Sequence, residues 1–374
     1  MKKIFLFLSF TLLINTVSIA QHSKDRDKVL EKMQLANNYF MEKWPDVGKT
    51  IVTNKERPSH IWTRGVYYEG LMALHEIYPK KEYYNYALDW ANFHEWGFRS
   101  GNITRNADDY CAAQTYIDLY NLEPQPERLK NTRATMQKFL HTPQNNDWDW
   151  IDAIQMGMPV FAKMGVIEKD ERYFEKMHQM YMYTRDKEGE KGLFNKEDGL
   201  WWRDADFDPP YTEPNGEDSY WSRGNGWVIA ALAKVLDIVP EDTPHRGQYI
   251  KDLKTMAEAL VKVQRQDGFW NVSLHDENNY GEKELSGTAL FVYALAYGVN
   301  NNILNGEKYL PVIEKGWNAM VKESLHDNGF LGYVQSTGKE PKDGQPLSYD
   351  KIPDFEDYGL GCFLLAGSEV YKLK

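Results

Sequence analysis

Three short stretches of this 374-residue chain place acids beside indoles or a guanidinium. The first, Asn106-Ala107-Asp108-Asp109-Tyr110-Cys111, opens an apolar-periodic run that continues through Tyr116. Adjacent carboxylates at a helix start admit two readings. Both act as a cap and a first-turn charge that complements the helix dipole, or one caps while the other points into a site. The second stretch is Asp147-Trp148-Asp149-Trp150-Ile151-Asp152, followed by Ala153-Ile154-Gln155-Met156-Gly157-Met158-Pro159. Asp152 stands among apolar residues of a helix that must be largely buried, and a carboxylate there is costly unless paired or functional. Burial raises its pKa and suits it to donate a proton near neutral pH; a satisfied structural Asp is the competing reading. The third, Tyr220-Trp221-Ser222-Arg223-Gly224-Asn225-Gly226-Trp227, flanks an Arg with two indoles. A guanidinium fork matches a carboxylate and an indole face stacks on a sugar ring, although a helix start packed by Trp would look the same.

Composition narrows the chemistry. A formal charge of −11 lacks the basic footprint that nucleic acid requires, so an acidic ligand must be captured by local groups against the global field. Core packing accounts for most of the 24 Tyr, 12 Trp and 16 Phe; the indoles beside Gly, Arg and Asp in expected turns are the exceptions, since their flat faces also stack on sugar rings. Cys111 and Cys362 lie in apolar helical patterns and read as buried thiols rather than a disulfide framework. No zinc signature, phosphate loop or nucleophile elbow is present.

Helical periodicity organises the rest of the chain. Segments near 25–44, 60–78, 81–97, 108–121, 124–140, 151–166, 170–187, 222–239, 246–266, 286–299, 307–322 and 357–373 read as helices. Period-two alternation is confined to short pieces around Gly268–Asn271 and Gly329–Val334. Twelve helices joined by alternating short and long connections predict six hairpins closed into an all-α (α/α)6 toroid, with the Gly-, Asp- and Trp-rich long loops carrying the binding groups. At the start, Met1-Lys2-Lys3, an apolar run to Ile19 and Ser18-Ile19-Ala20 read as an export signal over 1–20, leaving 21–374 as one catalytic domain. No other segment approaches a membrane span, and the periplasm is the expected compartment, with the extracellular space as the alternative.

The three stretches together resemble the unsaturated glucuronyl and rhamnogalacturonyl hydrolases of glycoside hydrolase family 105, related to family 88. The resemblance spans nearly the whole mature chain. It includes Trp62-Thr63-Arg64-Gly65, the Asp109 helix, Trp150-Ile151-Asp152 with Met156 and Pro159, and Trp221 to Trp227. Asp267-Gly268-Phe269-Trp270, Glu284-Leu285-Ser286-Gly287-Thr288-Ala289 and Phe363 to Glu369 follow in order. It implies the same toroid and an unusual reaction: protonation of C4 of a 4,5-unsaturated uronic acid, addition of water at C5, and collapse of the hemiketal. Asp152 matches the acid/base position and Asp109 the second essential carboxylate. Trp62, Arg64, Trp150, Trp202, Arg203, Trp221, Arg223 and Trp227 would form the sugar pocket, with Arg223 on the uronate carboxylate or nearby hydroxyls. No metal or other cofactor is implied. The partner is an unsaturated oligosaccharide, bound by a monomer or homodimer, with no nucleic acid and no membrane.

One departure bears on substrate. Relatives acting on rhamnogalacturonan fragments carry a His in the loop before the Trp-x-Arg motif, whereas Gly199-Leu200-Trp201-Trp202-Arg203-Asp204 has none. This favours an unsaturated glucuronyl end of an ulvan-type or arabinogalactan-type fragment over a galacturonyl end, with Arg203 replacing the missing polar contact. Three rivals stand beside this reading: a hydrolase of saturated glycosides, an epimerase relying on paired histidines, and a non-catalytic glycan-binding protein. His60, His75, His94 and His141 show no such pairing in sequence.

Overall fold

Fourteen helices and three two-stranded antiparallel ribbons make up residues 25–374, which a computed structural model describes; the expected export signal lies outside these residues. The described residues begin with α1 (25–43). It continues through α2 (Trp62–Ile77), α3 (Lys81–Phe93), α4 (Ala107–Tyr110), α5 (Ala113–Leu122), α6 (Pro126–Leu140), α7 (Asp152–Glu168) and α8 (Arg172–Asp186). The second half holds α9 (Ser222–Ile238), α10 (Arg246–Lys262), α11 (Glu277–Tyr280), α12 (Leu285–Asn300), α13 (Gly306–Glu323) and α14 (Asp357–Lys372).

Burial separates inner from outer helices. In α9 every residue from Ser222 to Leu236 is buried, and in α12 every residue from Leu285 to Gly298. The outer α10 buries only Tyr249, Asp252, Leu253, Met256, Ala257, Ala259 and Leu260, the single stripe of a helix with one wet face. The inner helices α2, α5, α7, α9, α12 and α14 pack in that order, and α14 returns to α2 to close the ring. Each is backed by one outer helix, α3, α6, α8, α10 and α13 for the first five; α1 lies against α14, where Met33 meets Gly367. The predicted (α/α)6 toroid is therefore the observed architecture.

The expected helix over 108–121 is broken at Cys111–Ala112. Asp109 N–H bonds to the Asn106 carbonyl and Gln114 N–H to the Cys111 carbonyl, i→i−3 bonds that tighten the chain where the i→i−4 ladder would continue. Asn106 Oδ1 accepts from Asp108 N–H at 3.1 Å and caps the short α4. The ribbon Trp270–Asn271 with Lys283–Glu284 matches the expected hairpin piece near 268–271, while Ile51–Val52 with Glu56–Arg57 and Phe194–Asn195 with Leu200–Trp201 gave no periodic signal. Ribbons of two residues per strand are too short for alternation to register. Both cysteines are free and buried, as their helical settings suggest.

The seam between first and last inner helices is glycine-dependent. A Cβ on Gly361 would sit 2.2 Å from the Val66 carbonyl oxygen, and one on Gly70 2.5 Å from that of Gly361. Neither neighbour can retreat, because both are helix backbone. Gly361→Ala is expected to destabilise the toroid by about 1–3 kcal/mol through overpacking, seen as a lower denaturant midpoint at unchanged m-value.

Candidate active site

Inner helices present their N-terminal ends at one mouth of the ring. Trp62 of α2, Asp108 of α4, Asp152 of α7, and Trp221 and Arg223 at the start of α9 line one cavity of about 150 Å³. Trp150, Met156, Arg203, Trp227, Thr337 and Gly338 complete its wall. Convergent helix N-termini bring partial positive charge to this mouth, which favours an anionic ligand despite the acidic chain. A second, larger cavity of about 430 Å³ opens among the C-terminal halves of the same helices. On the wall of this larger cavity Glu69 accepts from Lys234, from Gln155 Nε2 at 2.8 Å and from the Cys111 thiol at 3.2 Å. Only the smaller cavity combines free acids, guanidinium groups and indoles.

Asp152 is its chemical centre. Oδ2 faces Arg203 Nη2 at 3.4 Å, and Oδ1 is buried without a hydrogen-bond partner. Burial raises the pKa of this carboxyl; Arg203 and Arg223 oppose the rise and Asp204 reinforces it. Pairing of two backbone segments fixes the geometry. Trp150 bridges Asp204, and Ile151 N–H bonds to the Arg203 carbonyl at 2.9 Å, so Arg203 is set beside the first residue of α7.

The second acid on the wall is Asp108, not Asp109. Burial lifts Asp108 to about 6; Arg99 opposes this, while Asp152 and Asp109 add to it. Asp109 is 1% exposed and turned away, paired with Arg99 Nε at 3.0 Å and accepting from Thr104 Oγ1 at 3.0 Å. Asp109, expected as the second essential carboxylate, does not line the cavity: the tight turn of α4 sends the first acid of the pair to the mouth and uses the second to anchor the preceding loop.

Indoles divide by depth. Trp62, Trp150, Trp221 and Trp227 reach the cavity, and Trp62 meets Trp227 edge-on at 6.2 Å. Trp202 does not line it; its ring stacks with Tyr220 at 6.2 Å and 26° in the core. Arg64 is also absent from the wall. It is 1% exposed, ion-paired with Asp357 at 3.1 Å, and lies over the rings of Phe40 and Trp44, joining α2 to α14. Arg64 therefore corrects to a ring-closing residue: its position on the first turn of α2 points it at the neighbouring helix. Arg223 does reach the cavity, but Nη1 donates to the Gln335 carbonyl at 2.9 Å and Nη2 to the Ser336 carbonyl at 3.0 Å. Trp221 Nε1 donates to Gln335 Oε1 at 2.8 Å. The Trp-x-Arg motif thereby clasps the 324–356 loop over the site, which places Thr337 and Gly338 on the wall. No residue type in that loop signals this role; only the donors of the motif hint that acceptors must come to them.

His60 and His94 do form a pair, with ring centroids 4.0 Å apart, but outside the cavity. Burial pushes His94 down to about 3, and its Nε2 lies 2.7 Å from Ser59 Oγ. The pair packs the 44–61 loop against α3.

A model of Glycosyl Hydrolase Family 88 matches residues 32–374. An unsaturated 3S-rhamnoglycuronyl hydrolase of Formosa agariphila is 32% identical over 335 residues, covering 84% of this chain and 85% of that one. A glycosyl hydrolase family 88 structure from Bacteroides vulgatus superposes with a TM-score of 0.84 at 32% identity, covering 92% and 99% of the two chains. Another structure, named as a polysaccharide lyase, matches with a TM-score of 0.84 at 32% identity over 93% and 97%.

A carboxyl whose pKa is raised by folding lowers stability as pH rises. The folded state binds the proton more tightly, so the penalty is absent below the unfolded-state value and grows as pH climbs to the raised one. Asp152→Asn should therefore melt at a higher temperature than the wild type at pH 8, with the difference vanishing near pH 3.

Proposed function

The chain belongs to Glycosyl Hydrolase Family 88 and is a glycoside hydrolase, and from that premise we propose that it removes a 4,5-unsaturated uronic acid from the non-reducing end of lyase-generated oligosaccharides. The observation that carries this reading is the buried carboxyl of Asp152, with one oxygen unpartnered, at a mouth lined by Arg203, Arg223 and four indoles. Reaction at a vinyl ether needs one strong, correctly placed acid rather than a pair flanking an anomeric carbon. Protonated Asp152 delivers its proton to C4 from Oδ1. The resulting cation at C5 takes water, and the carboxylate now formed on Asp152 accepts the proton that water loses. The hemiketal opens, leaving C1 with a hydroxyl and the aglycone oxygen, and that hemiacetal expels the next sugar.

Asp108 contributes a second carboxyl on the same wall, coupled to Asp152 by charge. The charge of Asp152 helps to raise its pKa, and it is placed to hold a ring hydroxyl. The cavity is below the range of about 300–1,000 Å³ usual for whole ligands, which suits capture of a single terminal ring. Trp62, Trp150, Trp221 and Trp227 supply its apolar faces. Arg203 and the unpartnered Nε of Arg223 supply positive charge for the uronate. Among uronates, the reading favours an unsaturated glucuronyl end on a rhamnose-bearing, ulvan-type fragment. The absence of His in 199–204 and the activity named for the Formosa agariphila relative support it.

Absorbance tests the proposal. The conjugated C4=C5 bond absorbs in the ultraviolet, so purified protein should bleach unsaturated disaccharides, glucuronyl faster than galacturonyl. A polysaccharide lyase would instead raise the absorbance of an intact chain. Asp152→Asn should lower kcat by about 10²–10⁴-fold with the fold retained. Because the acid must be protonated, kcat/KM of the wild type should fall on the alkaline side. An unchanged absorbance with every unsaturated substrate would sink the reading.

A further inference from the structure

Arg203 stands between two carboxylates, Asp152 on one side and Asp204 on the other, yet only the first of these lines the cavity. Asp204 is 9% exposed, and both its oxygens are engaged: Oδ2 with Arg203 Nη1, and Oδ1 with the Asp206 N–H at 2.8 Å. Its backbone bridges Trp150, two residues before Asp152. The contact of Arg203 with Asp204 is the closer of its two, and the contact with Asp152 at 3.4 Å is long for a charge-assisted bond.

From this arrangement, and resting on the acid role given to Asp152 above, we propose that Asp204 is a positioning residue that draws the Arg203 guanidinium away from Asp152 so that the acid keeps its proton at working pH. A guanidinium alone beside a buried carboxyl would hold it ionised and useless as a proton donor. A site stripped of Arg203 would lose the positive charge available to a uronate. Sharing one guanidinium between two acids meets both needs: charge stays in the site while its pull on Asp152 is divided. The other groups facing Asp152 are fixed in either case. Arg223 comes from α9, already bonded to two carbonyls, and Asp108 comes from α4. Asp149 lies within reach of the charges of Arg203 and Asp204, and Glu188 within reach of Asp149 and Asp204. The charge of Asp204 helps to raise the pKa of both.

The decisive variant is Asp204→Asn, which keeps the acceptor for the Asp206 N–H and removes the charge. Arg203 then turns fully to Asp152, whose proton is lost at lower pH. The alkaline limb of the kcat/KM profile should move toward acid, so that the loss relative to wild type is about tenfold greater at pH 8 than at pH 5. Asp204→Glu, which restores the charge, should return the limb toward its original place. A purely structural residue would lower kcat equally at both pH values, and that result would overturn the proposal. Carboxyl ¹³C titration of Asp152, assigned by its disappearance in Asp152→Asn, reads the same shift without turnover. If the wild type bleaches no unsaturated substrate, the hydrolase reading fails while this titration still decides the role of Asp204. An unmoved Asp152 resonance in Asp204→Asn would refute it.

Discussion

Transferring an ionised carboxylate from water into a protein interior costs several kcal/mol, and Asp152 avoids that cost only by holding a proton or by leaning on Arg203 and Arg223. Much of the mouth can be understood as the management of this one group. The toroid supplies burial: α7 is buried from Asp152 to Ala162, packed between α9 and α5. The pairing of Trp150 with Asp204 supplies register, since it sets a guanidinium beside the carboxyl before any ligand arrives. The Arg223 clasp supplies a wall, since carbonyls of the 324–356 loop satisfy its donors and bring Thr337 and Gly338 to the cavity.

Ring closure is the mechanical counterpart. Inner helices converge only if the last packs against the first, and the α2–α14 seam achieves that with two glycines in backbone contact and the buried Arg64–Asp357 pair. Such a pair is weak evidence of net stability, but removing one partner would strand the other, at a cost of about 3–5 kcal/mol. That accounts for a charged residue at the start of α2 that never meets the sugar site.

The fold was legible because a 3.6-residue period repeats strongly over segments long enough to count, and alternating long loops imply hairpins facing one mouth. Asp152 was legible for a related reason: a lone acid inside an apolar run has to be explained. Side-chain direction was not legible. Asp108 and Asp109 have the same type and adjoining positions, and only the tight α4 turn decides which of them faces the cavity. Trp202 and Arg64 carry the residue types expected of a sugar site, yet residue type does not reveal the face on which a side chain leaves its helix or ribbon. Thr337 and Gly338 were invisible because their place depends on a contact spanning more than a hundred residues, from Arg223 to the carbonyls of Gln335 and Ser336.

The central claim is that chemistry begins at C4=C5 and not at the anomeric carbon, and kinetic isotope effects separate the two directly. Unsaturated glucuronyl disaccharide carrying deuterium at C4 should react slightly faster than the protiated compound, because C4 passes from trigonal to tetrahedral as Asp152 protonates it. Deuterium at C1 should leave kcat/KM unchanged, since no bond at C1 alters in the first step. A slower reaction with deuterium at C1 and no effect at C4 would mean that the glycosidic bond itself is displaced, and would contradict the account.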